Sequence, residues 1–145
     1  MQERAEHRTS ARVSGYMHTN PATVDYGATL MDALVVMTDQ GSTTVLVISN
    51  GDVAGIIGAD DIARLVAKGA DLNAARVREF VAACLLTGNQ PCVQIRDDDS
   101  VLNALKVMDS WTTSQILVVN KENKVVGTIT ALDALKGWME EVSKP

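Results

Sequence analysis

An internal repeat constrains the fold of this chain more than any other feature of its sequence. The segment Thr29–Met37 (TLMDALVVM) recurs 71 residues later as Ser100–Met108 (SVLNALKVM). At the same offset, the apolar run Val45–Ile48 corresponds to Ile116–Val119. A repeat of this length is typical of a duplicated supersecondary unit. The chain of 145 residues is therefore predicted to contain two copies of one unit.

The correspondence continues beyond a turn that differs in length between the copies. Val53–Ile57 matches Val125–Ile129 at an offset of 72, and Asp61 then matches Asp133. One residue has been inserted in the second turn, where insertions are best tolerated.

The apolar pattern within each copy predicts the order strand, helix, strand, strand, helix. Apolar residues within 30–37 follow the spacing of an amphipathic helix, which Thr29 caps and which ends before Gly41. Asn50-Gly51 is typical of a tight hairpin turn. The predicted strands are 22–24, 45–48, 53–57, 93–95, 115–120 and 124–130, and the further helices are 60–68, 100–110 and 131–142.

This order predicts an α/β protein of two β-α-β-β-α repeats, packed sheet to sheet with pseudo-two-fold symmetry around a shared core. A short helical turn is expected at the start of each repeat, around 13–17 and 77–81. The predicted organisation is an N-terminal tail (1–11), a first repeat (12–69), a linker (70–76) and a second repeat (77–143).

Composition and charge exclude several classes of protein. The net charge of −5 argues against binding to nucleic acid, which requires a basic face. No apolar run is long enough to cross a membrane, and the N-terminal residues lack the apolar stretch of a secretory signal. Two cysteines, Cys84 and Cys92, are too few for a disulfide scaffold, so a reducing, cytoplasmic location is expected. We expect them to be a buried residue and a cleft-wall residue rather than a redox pair.

The clusters of ionisable residues do not indicate a metal site or a catalytic site. Asp97–Asp99 precede a predicted helix, where acidic groups complement the helix dipole. His7 and His18 have no Cys, His or carboxylate neighbours at metal-ligand spacing, so no metal site is predicted. No motif marks a catalytic nucleophile, and we do not expect an enzyme.

The motifs, taken in order, resemble a pair of CBS domains, a family named after cystathionine beta-synthase. The resemblance rests on Val13–Met17, Asn20–Val24 and Gly55–Ile62 in the first copy, and on Val77–Val81 and Gly127–Asp133 in the second. It implies a stand-alone regulatory module without catalytic activity. Such modules bind adenosyl ligands such as AMP, ADP, ATP, S-adenosylmethionine or NAD in two clefts between the repeats, and they usually form homodimers.

The resemblance also implies which residues hold a ligand. In this family, Gly-x-x-Thr/Ser-x-x-Asp ends the last strand: the Asp accepts hydrogen bonds from both ribose hydroxyls, and the Thr or Ser helps to hold ribose or phosphate. Gly127, Thr130 and Asp133 match this motif. The first repeat is expected to complete their cleft with residues that recognise adenine: Ala22, Thr23, Ser42, Thr43 and Thr44. The alternative is that Asp133 only caps the final helix.

The first copy departs from this motif. Gly58 stands where Thr or Ser is expected, and Asp60 places a second carboxylate beside Asp61. Like charge beside a phosphate lowers affinity, so this cleft is the weaker candidate. Residues of the second repeat are expected to complete it: Val93, Ser114 and Gln115, with Cys92 and Thr87 as further candidates.

A further departure concerns the phosphates of a ligand. Relatives that bind polyphosphates often place His, Arg or Lys just before the buried strand, where this chain has Thr43-Thr44 and Ser114-Gln115. Arg64 and Lys136 either reach a phosphate or are ordinary solvated helix charges. ATP is therefore expected to bind less well than AMP or than S-adenosylmethionine, which carries no phosphate.

Two functional hypotheses remain open. The first is a sensor that binds an adenosine-containing effector, needs no other cofactor and signals to a partner protein. The second is a non-catalytic interaction or dimerisation module with empty or vestigial clefts. Trp138, Met139 and Val142 form an apolar stripe that belongs either to the core or to a homodimer contact.

Overall fold

The computed structural model describes residues 11–81 and 93–143 and confirms the β-α-β-β-α order in both copies. The chain divides into two compact units, Asn20–Cys92 and Met1–Thr19 with Val93–Pro145. The elements of the former are β1 (Ala22–Asp25), α1 (Leu30–Gln40), β2 (Thr44–Ser49), β3 (Asp52–Gly58) and α2 (Ala59–Ala67). Those of the latter are β4 (Gln94–Arg96), α3 (Val101–Trp111), β5 (Gln115–Val119), β6 (Val125–Thr130) and α4 (Ala131–Ser143).

The unit Asn20–Cys92 is built on a three-stranded sheet in the order β1-β2-β3. β1 runs parallel to β2, and β3 returns antiparallel to it. Apolar residues of both helices and of the strands form one buried cluster. Its members include Val24, Leu30, Ala33, Met37, Val45, Val47, Ile57 and Ile62. Val66 of α2 is 52% exposed and does not belong to this cluster.

Local capping accounts for the bounds of α1 and of the hairpin that follows. The Thr29 hydroxyl accepts a hydrogen bond from Asp32 N, and the Asp32 carboxylate accepts one from Thr29 N, each at 3.0 Å. This reciprocal pair satisfies amide groups that have no partner within the helix. Gly41 ends the helix with a left-handed φ of 62°. Asn50 and Gly51 also have positive φ, as the predicted tight hairpin turn requires.

The second unit repeats the same topology, with sheet order β4-β5-β6 and the same pattern of parallel and antiparallel pairing. Its core cluster is again aliphatic and includes Ile95, Val101, Ala104, Met108, Ile116, Val118, Ile129 and Ala134. The longer turn between β5 and β6 contains the inserted residue, and Asn123 there has a φ of 64°. Asn120 stabilises this turn through its side-chain oxygen, which accepts hydrogen bonds from the Glu122 and Lys124 amides.

The short helical turns pack with a different copy from the one that follows them in sequence. The 3₁₀ turn Val13–Gly15 lies against the second copy, where Val13 N donates to Asp99 O at 2.8 Å. The turn Val77–Glu79 packs with the first copy, where Val77 N donates to Ala28 O at 2.9 Å. The expected linker 70–76 also contributes to that core through the buried Leu72. Each unit therefore consists of one β-α-β-β-α copy and one helical turn, and the sequence had placed that turn at the start of the other copy.

Tyr16 extends the contact of the first helical turn to α4. A Cβ at Gly137 would lie 3.0 Å from the Tyr16 ring, so glycine permits the ring to pack closely on the helix. The Tyr16 hydroxyl donates a hydrogen bond of 2.7 Å to Glu140. This hydrogen bond is the main reason that the pKa of Tyr16 is raised, with burial and the negative charges of Glu140 and Glu141 adding to it.

The length and apolar character of the helices indicate whether any of them could cross a membrane. Within the residues that the structure describes, no helix has the length and apolar character that crossing a bilayer requires.

Candidate functional site

Thr130 and Asp133 meet at the point where β6 ends and α4 begins. The Asp133 Oδ2 atom accepts hydrogen bonds from Thr130 N and Thr130 Oγ1, both at 2.9 Å. Thr130 Oγ1 in turn accepts a hydrogen bond of 3.2 Å from Asp133 N. This is a capping box, and it places a carboxylate in the first helical turn, where the helix dipole favours negative charge. The helix-capping role considered for Asp133 is therefore present in the structure.

The Asp133 carboxylate is unusually buried for an acidic group, with only 10% of its side chain exposed. Its hydrogen bonds to Thr130 hold its orientation before any ligand arrives. A buried and oriented carboxylate is suited to accept hydrogen bonds from neutral hydroxyl donors, because water competes weakly for it.

His18 is the residue of this site that sequence reasoning missed. Its Nε2 atom lies 3.1 Å from Oδ1 and 3.0 Å from Oδ2 of Asp133. Sequence spacing gave no indication of this contact, because the two residues are 115 positions apart in sequence and meet only in the fold. The repeated family motif is the available signal, since it places the segment Val13–Met17 immediately before His18.

Backbone pairing with β6 positions His18. His18 N donates to Thr128 O at 2.8 Å, and Thr128 N donates to His18 O at 3.0 Å. Gly127 is needed for this approach, because a Cβ there would overlap the His18 carbonyl oxygen. The glycine of the Gly-x-x-Thr-x-x-Asp motif thus admits the segment that carries the histidine.

The other predicted residues of this unit gather at the same end of its sheet. Gln115 pairs with Thr130 in the β5–β6 register. Ala131 N donates to Ser114 O at 2.8 Å, and Leu117 N donates to Val93 O at 3.2 Å. Val93, Ser114 and Gln115, which the sequence assigned to the weaker site, are therefore in the same unit as Thr130 and Asp133.

The corresponding end of the other sheet collects the remaining predicted residues. Thr44 pairs with Gly58, and Ala22 pairs with Val45 at the adjoining strand start. Ala59 N donates to Thr43 O at 2.8 Å. The predicted residues at this end of the sheet, or in the first turn of the helix that follows, are Ala22, Thr23, Ser42, Thr43, Thr44, Gly58 and Asp61. The two clefts predicted from sequence each combine residues of both units, and that combination remains a prediction.

The first copy has different electrostatics at the position equivalent to Asp133. Asp61 Oδ2 accepts a hydrogen bond from Gly58 N at 3.0 Å, which is half of the capping box found at Asp133. Its Oδ1 atom is 2.7 Å from Arg64 Nη2, and Asp60 lies 3.8 Å from the same guanidinium. Arg64 thus forms an ion pair with Asp61 and a longer contact with Asp60, which leaves this cluster with a net negative charge. A surface cavity of about 270 Å³ adjoins this cluster and is lined by Ile56, Asp61, Arg64, Leu65, Lys68 and Phe80.

The remaining candidates have structural roles or lie outside the described residues. Asp99 accepts hydrogen bonds from Ser100 N at 2.8 Å and from the Asn103 side chain at 2.7 Å, so it supports the start of α3 as expected. Among residues 11–81 and 93–143, no three His, Cys, Asp or Glu side chains are placed to share a metal ion. The predicted residues outside these ranges are Thr87, Cys84, Cys92 and His7.

The fold consists of two β-α-β-β-α copies, and the second copy has a Thr–Asp pair where its last strand meets its last helix. The family model described as "CBS domain" matches residues 13–68 and 86–140. The chain belongs to the CBS-domain family and contains two copies of the domain. CBS-domain proteins are generally regulatory rather than catalytic.

Solved structures have the same fold. An uncharacterized conserved protein from Pyrococcus horikoshii superimposes with a TM-score of 0.76 and 21% identity, over 90% of this chain and 93% of that one. A CBS domain protein from Pyrobaculum aerophilum, solved in complex with AMP, has a TM-score of 0.73 and 18% identity, over 92% and 99% of the two chains. A CBS domain pair in complex with 5′-methylthioadenosine and S-adenosylmethionine has a TM-score of 0.72 and 20% identity, over 90% and 97%.

Curated relatives are longer than this chain. An uncharacterized protein of Methanocaldococcus jannaschii is 27% identical over 134 residues, which are 92% of this chain and 46% of the relative. A homoserine O-acetyltransferase of Methanosphaera stadtmanae is 27% identical over 123 residues, which are 84% of this chain and 23% of the enzyme. The chain thus spans less than half the length of these relatives.

Proposed function

We propose that this chain is a regulatory module that binds an adenosine-containing ligand, with Asp133 as the acceptor for the ribose hydroxyls. The observation that carries this proposal is the buried Asp133 carboxylate, which Thr130 orients through two hydrogen bonds of 2.9 Å at the start of α4. The other acceptor atom, Oδ1, is hydrogen-bonded to the end of an exposed side chain rather than to the backbone. A ligand hydroxyl can compete for that position.

The ligands bound in solved structures of the same fold support an adenosine-containing ligand. Proteins with the same fold have been solved with AMP and with S-adenosylmethionine and 5′-methylthioadenosine, all of which contain adenosine. We propose that Ala22, Thr23 and Ser42–Thr44 contribute the adenine side of the Asp133 site. The second, weaker site comprises Gly58, Asp61, Val93, Ser114 and Gln115.

Charge favours AMP or S-adenosylmethionine over ATP. A triphosphate requires several cationic partners, and the positions before β2 and β5 carry hydroxyl and amide side chains. Arg64 is already paired with Asp60 and Asp61. The ligand is an effector, and it acts on a partner protein by favouring one of two conformations of the module.

Calorimetric titration of the full chain with AMP, ATP and S-adenosylmethionine tests this proposal. We expect AMP or S-adenosylmethionine to bind at micromolar concentration and ATP to bind more weakly. Folded protein that gives no heat with any of the three ligands, and no rise in melting temperature at millimolar ligand, contradicts the proposal.

A second candidate, a homodimerisation module, is favoured by an exposed apolar row on α4. Leu132, Leu135, Met139 and Val142 follow the spacing of one helix face and are 64%, 45%, 56% and 55% exposed. Trp138 beside them is 42% exposed, so the stripe does not belong to the core of the single chain. Exposed apolar rows of this kind are typical of interaction surfaces.

The double variant Leu135→Glu/Met139→Glu is expected to convert a homodimer to monomer, because each carboxylate would be desolvated in an apolar contact. We expect the dissociation constant to rise at least about tenfold, as measured by sedimentation equilibrium. Ser110→Glu, which adds a carboxylate at an exposed position of α3, serves as the control. An unchanged dimer in the double variant would place the contact elsewhere, and a monomeric wild-type chain would refute dimerisation.

A further inference from the structure

The imidazole of His18 occupies hydrogen-bond acceptor positions of the Asp133 carboxylate, and the proposed function needs those positions for the ligand. Each carboxylate oxygen offers about two acceptor positions. Oδ2 of Asp133 already accepts from Thr130 N and Thr130 Oγ1, and it also lies 3.0 Å from His18 Nε2. The remaining contact of the imidazole is with Oδ1, at 3.1 Å. A ribose with two hydroxyls needs two acceptor positions, and with His18 in place they are not both accessible.

We propose that His18 is an intramolecular competitor for the ribose hydroxyls, which the ligand must displace from Asp133. This inference rests on the proposed function and adds a specificity-determining residue to it. The competitor reduces affinity for every ligand that uses both hydroxyls, and it spares ligands that need a single acceptor. His18 therefore sets the concentration at which the module responds.

The anchoring of His18 makes such a displacement possible without unfolding. Its backbone is held by the two hydrogen bonds to Thr128, at 2.8 and 3.0 Å. Its side chain is 60% exposed, whereas that of Asp133 is 10% exposed. The imidazole can therefore rotate into solvent while the backbone and the Asp133–Thr130 capping box stay in place.

The first copy lacks the same competitor in its sequence. Counting five residues from Val77, as from Val13 to His18, leads to Ala82, which has no side-chain donor. Asp61, the counterpart of Asp133, contacts Arg64 of its own helix instead, at 2.7 Å. The duplicated domains thus block their equivalent carboxylates by different means, one from a separate segment of the chain and one from the same helix.

The variant His18→Ala tests the proposal, with AMP, S-adenosylmethionine and 2′-deoxy-AMP titrated by calorimetry. The imidazole is 60% exposed, so water already competes with its hydrogen bond to Asp133, and we expect a gain of about two- to fivefold in affinity for AMP and S-adenosylmethionine. The gain should be smaller for 2′-deoxy-AMP, which presents one hydroxyl fewer. His18→Gln, whose amide can still donate to Asp133, should remain near wild type. The exposed neighbour Thr19 provides the control variant Thr19→Ala.

The outcomes separate this inference from the proposed function. If wild type binds AMP and His18→Ala binds it equally or more weakly, the competitor role is refuted while the proposed function stands. Weaker binding of AMP alone, with S-adenosylmethionine unaffected, would identify His18 as a phosphate contact and would also refute competition. If neither protein binds AMP or S-adenosylmethionine, both the proposed function and the inference are wrong.

Discussion

Asp133→Asn is expected to lower the affinity for AMP or S-adenosylmethionine by about tenfold to a hundredfold. The substitution replaces one acceptor oxygen by a donor and removes the negative charge, and a hydrogen bond to a charged group contributes about 1.5–3 kcal/mol. Asparagine keeps one oxygen that can still accept from Thr130 N, so the start of α4 should survive. The measurement is calorimetric titration of wild type and variant under the same conditions.

Matched variants distinguish loss of the site from loss of the fold. Asp61→Asn makes the same chemical change at the equivalent position of the first copy, where Gly58 replaces the Thr of the motif. We expect it to leave the stronger binding event unchanged. Asp133→Asn should also retain the wild-type melting temperature to within a few degrees. Equal affinity in wild type and Asp133→Asn would show that this carboxylate does not bind the ligand.

Gly127→Ala is expected to destabilise the protein by about 2–4 kcal/mol, combining overpacking with the loss of backbone hydrogen bonds. The new methyl group would overlap the His18 carbonyl oxygen, which is a backbone atom that cannot rotate away. Relief requires the His18 segment to move off β6, and that movement breaks both hydrogen bonds to Thr128. Thermal and urea unfolding provide the measurement.

Gly15→Ala is the matched control, because nothing lies within 4 Å of a Cβ at that position. It should change the free energy of unfolding by less than about 1 kcal/mol. If Gly127→Ala were as stable as Gly15→Ala, the segment Met17–Thr19 would not be held against β6 as the structure describes. The same variant also removes His18 from Asp133, so a folded Gly127→Ala protein should bind ligand as His18→Ala does.

The sequence predicts only part of the site, because some of its residues are neighbours in sequence and one comes from a distant segment. Thr130 and Asp133 are three residues apart and follow an apolar strand, so their meeting at a helix start is a local property. His18 reaches the same carboxylate from a segment 115 residues away. Neither periodicity nor spacing encodes that contact, which depends on the packing of the Val13–Gly15 turn and on the pairing of His18 with Thr128.

The packing of the two short helical turns is a second feature that sequence spacing does not encode. Their existence was predicted, and both form as 3₁₀ turns. The sequence places each turn at the start of the repeat that follows it, whereas in the structure Val13 joins the core of the second copy and Val77 joins that of the first. Both valine side chains are 0% exposed. The free energy gained by burying them in these cores decides where the turns pack, and the short chain connection to the following copy does not.

The sequence by itself determined the duplicated β-α-β-β-α order, the caps at Thr29 and Gly41 and the Asn50-Gly51 hairpin. These features depend on interactions between residues within about one or two helical turns of each other, which composition and spacing record directly. Only the tertiary structure decided the contact of His18 with Asp133 and the close approach that Gly127 permits. Those contacts arise where separate elements pack together, and their geometry depends on the whole unit rather than on any local pattern.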